Sequence, residues 1–358
     1  MTDVAAASAP GAQDLRARLL AWYDANARPL PWRTGPQEIA AGVRPDPYRV
    51  WLSEVMLQQT TVPHATPYFH AFTARWPTVE ALAAAEEGEV MSAWAGLGYY
   101  ARARNLIACA RAVARDHAGV FPDTEEGSRA LPGFGVYTAA AVAAIAFGRR
   151  ANVVDGNVER VISRLYAVET PLPDAKPELK RLAGTLVTAA RPGDWAQALM
   201  DLGAVICRPK SPDCGRCPVR SDCAAFATGA PETYPRKRAK AERPRRLGVV
   251  YVLTRGEEVA MVRRPARGLL GGMLGLPGPE WSSGAPLPGV DAPATAEWRG
   301  MGEVEHVFTH FALTLSVLHA ELVDPPSDEL VWLRIAEAEL ALPTVFAKAL
   351  RAATGRLV

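Results

Sequence analysis

Four of the five cysteines, Cys207, Cys214, Cys217 and Cys223, fall within seventeen residues at the spacing C-x6-C-x2-C-x5-C. Thiols held this close in a reducing compartment read as a metal site and not as disulfides. Sulfur-only ligation admits tetrahedral zinc or a cubane iron–sulfur cluster. Zinc sites usually pair two short knuckles; the long outer spacings here favour a [4Fe–4S] cluster. Arg208, Lys210, Arg216 and Arg220 share the loop, giving it positive charge suited to phosphates. Cys109 stands apart in "NLIACARAV", a helical pattern, and reads as a core residue.

The cysteine loop ends a long helical region. From residue 14 to 234, segments such as "DLRARLLAWYDAN", "PYRVWLSEVMLQQTT" and "YTAAAVAAIAFG" carry apolar residues at three- and four-residue spacing. Then "PRKRAKAERPRR" packs seven Lys/Arg with two prolines, so 235–247 reads as an exposed basic linker or as added contact with a polyanion. After it, "RLGVVYVLTR" and "EEVAMVRRP" read as strands around a turn, and "HVFTHFALTLSVLHAEL" as a further strand pair. Residues 248–358 therefore form a smaller α+β domain, as expected for a chain of 358 residues, too long for one ordinary domain. Residues 1–13 have neither a basic start nor a long apolar core, so they read as a disordered terminus and not as a secretory signal. The most apolar run, "AAAVAAIAF", is too short to span a bilayer. The expectation is a cytoplasmic protein that does not enter membranes. With a formal net charge of only +2, any surface for a polyanion must come from local clustering.

Two carboxylates stand in informative settings. Glu54 lies off the centre of the apolar stripe Tyr48, Trp51, Leu52, Val55, Met56, Gln59, with Gln58 one turn on. Beside Trp51 it reads either as a solvated surface residue or as a partly desolvated acid with a raised pKa, suited to general acid catalysis. Asp155, in "NVVDGNVERVISRLY", reads as an N-cap, a role compatible with chemistry. Between them "LPGFGVYTAA" reads as a tight hairpin between helices. Gly133 and Gly135 permit positive φ and close approach, and the amides beyond them can bind a DNA phosphate without reading sequence.

The order hairpin, "DGNV", cysteine loop resembles the helix–hairpin–helix DNA glycosylase superfamily. Within it "WLSEVMLQQT", "GLGYYARARN" and "LPGFGVYTA" resemble the MutY-type adenine DNA glycosylases, over nearly the whole chain from about Leu15. The resemblance implies a mainly α catalytic region with an iron–sulfur loop, followed by a Nudix-like domain. It implies hydrolysis of the N-glycosidic bond of adenine opposite 8-oxoguanine or guanine in double-stranded DNA, by a monomer. Glu54 would protonate the adenine ring and Asp155 would stabilise the oxocarbenium-like sugar, while Tyr137 and Asn157 would position the sugar or Asp155. Arg28, Leu30, Trp32 and Arg33 match residues lining the adenine pocket, and Gln59 and Tyr99 match residues that wedge the duplex while the base is extruded. Sister endonuclease III-type enzymes carry a strand-cleaving lysine where this chain has Tyr137, which cannot form a Schiff base; this implies a monofunctional enzyme.

In the C-terminal part "VRRPARGLLGGMLGLPGPEW" and "HVFTHFAL" match the Nudix-like domain of the same family, with Phe308, Thr309 and His310 near the lesion. Thr309 stands where the family often has serine, and a hydroxyl is kept. No hydrolase box of glycine and clustered glutamates is present, which argues against pyrophosphate hydrolysis. The segment "TGPQEIAAGVRPD" (34–46), ahead of the helix that carries Glu54, is longer than the family pattern. Two other readings are a bifunctional glycosylase/lyase for oxidised pyrimidines, opposed by Tyr137, and a silent DNA-binding module, which would need neither Glu54 nor Asp155.

Overall fold

The helix Pro47–Met56 shows how the first part of the chain is built. Asp46 caps it by accepting from the Tyr48 amide at 2.9 Å, and Pro47 occupies the first turn, where a missing N–H costs nothing. Apolar residues then meet neighbours on every side: Trp51 contacts Phe121 and Phe134, and the Tyr48 hydroxyl donates to the Trp76 carbonyl at 2.8 Å. The helix is buried nearly all round, so a residue off its apolar stripe does not reach solvent.

The computed structural model describes residues 12–238, 243–265, 268–284, 289–308, 310–322 and 330–355. The chain divides into two units, Met1–Arg238 and Ala239–Val358. In the first, helices surround the alanine-rich helix Val136–Ile145, whose residues from Thr138 to Ile145 are all buried. Small side chains there let neighbours approach closely. A Cβ added at Gly193, in the first turn of helix Pro192–Asp201, would lie 2.7 Å from the Ala144 carbonyl oxygen. Among the described residues, no helix is long and apolar enough to cross a membrane.

The second unit is a mixed sheet of β1 (Arg245–Arg255), β2 (Glu258–Arg263), β3 (Leu274–Gly275), β4 (Arg299–Val307), β5 (Ala312–Glu321) and β6 (Val331–Arg334). Its order is β3-β2-β1-β5-β4, with β6 also on β2. The central β1 runs parallel to β5 and is buried from Gly248 to Thr254, as a strand covered on both faces must be. Helix Thr344–Thr354 covers one face with Val345, Phe346 and Leu350; the other packs Leu253, Ala260 and Ala320 against Trp298 and Trp332. A helical region followed by a smaller α+β domain is thus the fold.

The basic stretch is less of a tether than its composition suggests. Arg236 pairs with Glu169, Arg238 with Asp174, and the Leu172 amide donates to the Arg236 carbonyl at 2.9 Å, so 235–238 pack on the first unit. The strand β1 begins at Arg245, inside the expected linker. Acidic side chains supply the difference at this end of the run: Glu169 and Asp174 hold Arg236 and Arg238. Of the expected disordered terminus, 1–11 lie outside the described residues.

Gly193→Ala should destabilise the first unit by about 1–3 kcal/mol in urea denaturation, because backbone must move to admit the methyl. Gly88, with nothing within 4 Å of an added Cβ, is the control. Gly88→Ala should stabilise by roughly 0.5–1 kcal/mol.

Candidate active site

A cleft of about 1010 Å³ opens in the first unit, lined by Arg28, Leu30, Trp32, Arg33, Glu54, Gln58, Gln59, Tyr137, Asp155 and Asn157 among others. Four separate stretches of chain bring these residues together. Glu54 is only 8% exposed. Its Oε2 accepts from the Tyr137 hydroxyl at 2.7 Å. Burial raises its pKa to about 7 against the Tyr137 hydrogen bond, the Asp155 charge adding to the rise and Arg33 opposing it. Burial, with Glu54 and Asp155 nearby, pushes the Tyr137 hydroxyl well above its ordinary value, so it remains a donor. The sequence reading paired Tyr137 with the sugar or Asp155; its hydrogen bond goes to Glu54, because the first turn of helix Val136–Ile145 faces the helix that carries the acid.

Asp155 has the opposite surroundings. It caps helix Gly156–Leu165, Oδ1 accepting from the Val158 amide at 2.7 Å and Oδ2 from Asn157 Nδ2 at 3.0 Å. Both of its oxygens are thus engaged as acceptors at the start of the helix. The cleft thus places a buried acid and a hydrogen-bonded carboxylate on one space.

Several residues of this arrangement were not singled out from sequence. Asp201, wholly buried, accepts from Arg28 Nε at 2.5 Å and Arg33 Nη1 at 2.7 Å, and so holds both arginines at the cleft wall. A lone carboxylate inside the apolar run "ALMDLGAVI" was the available signal. Arg160 donates to Asn157 Oδ1 at 2.8 Å and to the carbonyls of Gly203 and Cys207 at 2.6 and 2.7 Å, tying the Asp155 turn to the cysteine loop. Gly203 leaves room for this, since an added Cβ would lie 2.6 Å from Asn157 Cβ. The segment 34–46 does not line the main cleft. Its short helix Pro36–Ala40 borders a separate cleft of about 630 Å³.

Gln58 reaches Thr138 at 3.4 Å. Gln59 and Tyr99 are exposed, at φ +58° and +50°. Of the two hairpin glycines only Gly133 takes positive φ, +76°, where a Cβ would meet Asn105; Gly135 is the extended N-cap of helix Val136–Ile145. In the second unit Phe308 is half-buried against His306, Phe311 and Trp281, at the turn where its amide donates to the Phe311 carbonyl at 2.9 Å. His310 is exposed, and Thr309 lies outside the described residues.

The cysteine loop folds as short turns, Cys214–Arg216 and Arg220–Asp222, after Cys207. Its thiols are half-buried and close enough that Cys207 raises the pKa of each of the other three, after the larger effect of burial. Buried Arg164 donates to Cys207 Sγ at 3.2 Å and to the carbonyls of Arg208 and Pro209, while Cys223 Sγ donates to the Arg164 carbonyl. Among the described residues, no three His, Cys, Asp or Glu side chains are drawn together tightly enough for a single metal ion. A donor set of four thiols, one of them in contact with a buried guanidinium, fits a negatively charged cubane, which is wider than one ion and spreads its ligands further apart.

Comparison with known proteins follows the same division. Residues 52–185 match the HhH-GPD superfamily of base excision DNA repair proteins and residues 248–352 match the NUDIX domain. The chain is 37% identical to the adenine DNA glycosylase of Homo sapiens, over 84% of this chain and 66% of that protein. It is 36% identical to that of Rattus norvegicus, over 84% and 69%. The chain thus spans about two thirds of the length of these relatives. A solved thermostable thymine-DNA glycosylase is 29% identical, with a TM-score of 0.53, covering 61% of this chain and 98% of its own.

A pKa raised to about 7 has a stability consequence. As pH rises from the ordinary value of 4.5 to about 7, the folded state keeps a proton that the unfolded chain releases, so stability falls through that window. Glu54→Gln removes this loss and can still accept from Tyr137. It should stabilise the protein by roughly 2–3 kcal/mol near pH 8 and by little near pH 4, read by urea denaturation at both. An equal effect at both would place Glu54 in solvent.

Proposed function

Because the chain belongs to the helix–hairpin–helix base excision DNA repair proteins and, within them, to the adenine DNA glycosylases, we propose that it removes adenine standing opposite 8-oxoguanine or guanine in duplex DNA and leaves an abasic site. The observation that carries the reading is the pairing, in one cleft, of buried Glu54 with a pKa of about 7 and hydrogen-bonded Asp155. Glycosidic cleavage needs two carboxyl groups in opposite protonation states. Glu54 gives its proton to a ring nitrogen of the extruded adenine. The bond from sugar to base then breaks with its electron pair going to the base, and positive charge develops on the sugar beside Asp155. Water adds at the anomeric carbon and loses a proton. Tyr137 holds the Glu54 carboxyl in place, and Asn157 holds Asp155.

Arg28, Leu30, Trp32 and Arg33 form the adenine pocket in this reading, with Asp201 fixing the two arginines. Gln58 and the hairpin at Gly133 and Gly135 meet the DNA strand. Gln59 and Tyr99, exposed and in strained backbone, enter the space the base vacates. Phe308, Thr309 and His310 meet the base opposite. Tyr137 in place of a lysine supports a glycosylase without strand cleavage.

Cys207, Cys214, Cys217 and Cys223 hold a [4Fe–4S] cluster, supported by the all-sulfur donor set and by Arg164 beside it. The cluster supplies a cross-link that gathers the loop, and Arg160 carries that order to Asn157 and Asp155.

Single-turnover assay of a labelled duplex with adenine opposite 8-oxoguanine should give breaks only after alkali, and none with Asp155→Asn, whose duplex binding persists. Breaks without alkali would establish a lyase and overturn the reading of Tyr137. Thymine placed where that adenine stood, the base in the structural relative's name, should be left intact. Protein purified without oxidation should be brown and carry about four iron and four sulfide per chain; a colourless, zinc-loaded protein would refute the cluster.

A further inference from the structure

Arg102 is a buried cation that has no carboxylate partner among the described residues. It is 9% exposed, in the first turn of helix Ala101–Asp116. Nη1 donates to the carbonyls of Val55 and Met56 at 2.9 and 3.0 Å, in the last turn of the helix that carries Glu54. Nη2 donates to the carbonyls of Leu97 and Gly98 at 2.9 and 3.1 Å. One planar group therefore joins two segments some forty residues apart in sequence. Gln59 follows the first pair of carbonyls by three residues and Tyr99 follows the second pair directly. Both tips are exposed, Tyr99 by 61%, and both adopt positive φ without being glycine.

Such backbone persists only where the surroundings over-determine it. The second segment is held closely: Tyr68 donates to the Ala95 carbonyl at 2.9 Å, Trp94 Nε1 to the Gly98 carbonyl at 3.1 Å, and the guanidinium lies 5.2 Å from the Trp94 ring and 5.6 Å from the Tyr99 ring. Among these contacts Arg102 is the group that also grips the first segment. Lysine, a point charge on a flexible stem, cannot meet four carbonyls in one plane.

We infer that Arg102 is a positioning residue for base extrusion, setting the Gln59 and Tyr99 tips in a fixed mutual register so that they enter the DNA stack together. The inference rests on the reading of these two tips as DNA contacts. Two wedges that drift independently each lose the geometry on which extrusion depends.

The test uses the full chain and a duplex with 2-aminopurine, a fluorescent adenine analogue, opposite 8-oxoguanine; its emission rises when the base leaves the stack. Arg102→Lys should keep duplex affinity within about threefold while slowing extrusion by about tenfold or more. Added to the double substitution Gln59→Ala with Tyr99→Ala, it should cost less than about a further twofold, because all three act through one step. Unchanged extrusion in Arg102→Lys, or an independent loss in the triple variant, would overturn the inference. If removing both tips leaves extrusion unchanged, the reading of the tips falls and the inference with it, whereas adenine release is assayed separately. Should Arg102→Lys fail to fold, amide hydrogen exchange of the unaltered protein decides: 57–60 and 96–100 should open with one free energy, and separate opening energies would overturn the proposal.

Discussion

The carboxyl of Glu54 is kept out of water and, among the described residues, forms no ion pair that would compensate. Two arginines line the same cleft, yet Arg28 and Arg33 both point their donors at Asp201, which is wholly buried between them. Had either turned to Glu54, an ion pair would have favoured the carboxylate and removed its acidic proton at neutral pH. Instead Glu54 has the Tyr137 hydroxyl, which lowers its pKa less than burial raises it. The packing of the surrounding helices, the alanine-rich centre and the placement of Asp201 all serve that one imbalance.

Asp155 shows what the same functional group becomes in another environment. Its carboxylate finishes a helix and accepts a backbone and a side-chain donor. Its position depends on Asn157, on Arg160 behind it, and on the carbonyls of Gly203 and Cys207 that Arg160 grips. A residue of the cleft is therefore held by a loop whose cysteines lie some fifty to seventy residues downstream. Gly203 permits this because a side chain there would displace Asn157. Compactness of the cysteine loop is thus transmitted to the cleft by contacts and not by any shared chemistry.

Much of this was legible from residues alone. Helical periodicity, the change to alternating strands, the hairpin glycine at Gly133 and the Asp155 cap each depend on neighbours within a few positions, which is where sequence patterns carry information. The partner of Tyr137 was not legible, since its hydroxyl meets a residue 83 positions away. Nor was the burial of Glu54, because periodicity describes one stripe of a helix and not how many neighbours close over the rest. Arg160 and Arg102 carry no local signal for a related reason: each looks like an ordinary charged residue of a helix until the acceptors around it are known, whereas Asp201 shows only as a lone carboxylate in an apolar run. The pairing of Arg236 and Arg238 was not legible either, because their acidic partners Glu169 and Asp174 lie far back in the chain.

The sequence by itself determined which groups the protein has available: two separated carboxylates, a tyrosine just past the hairpin, four clustered thiols and a helical region ahead of a sheet. These follow from residue identity and local spacing, which no later folding step alters. Tertiary structure alone decided the state those groups are in. It made one carboxyl an acid and gave the other hydrogen bonds, and it turned two arginines onto Asp201. It also joined two distant loops through one guanidinium. Protonation and orientation are set by desolvation and by donors brought from remote parts of the chain, and those quantities exist only after the chain has closed on itself.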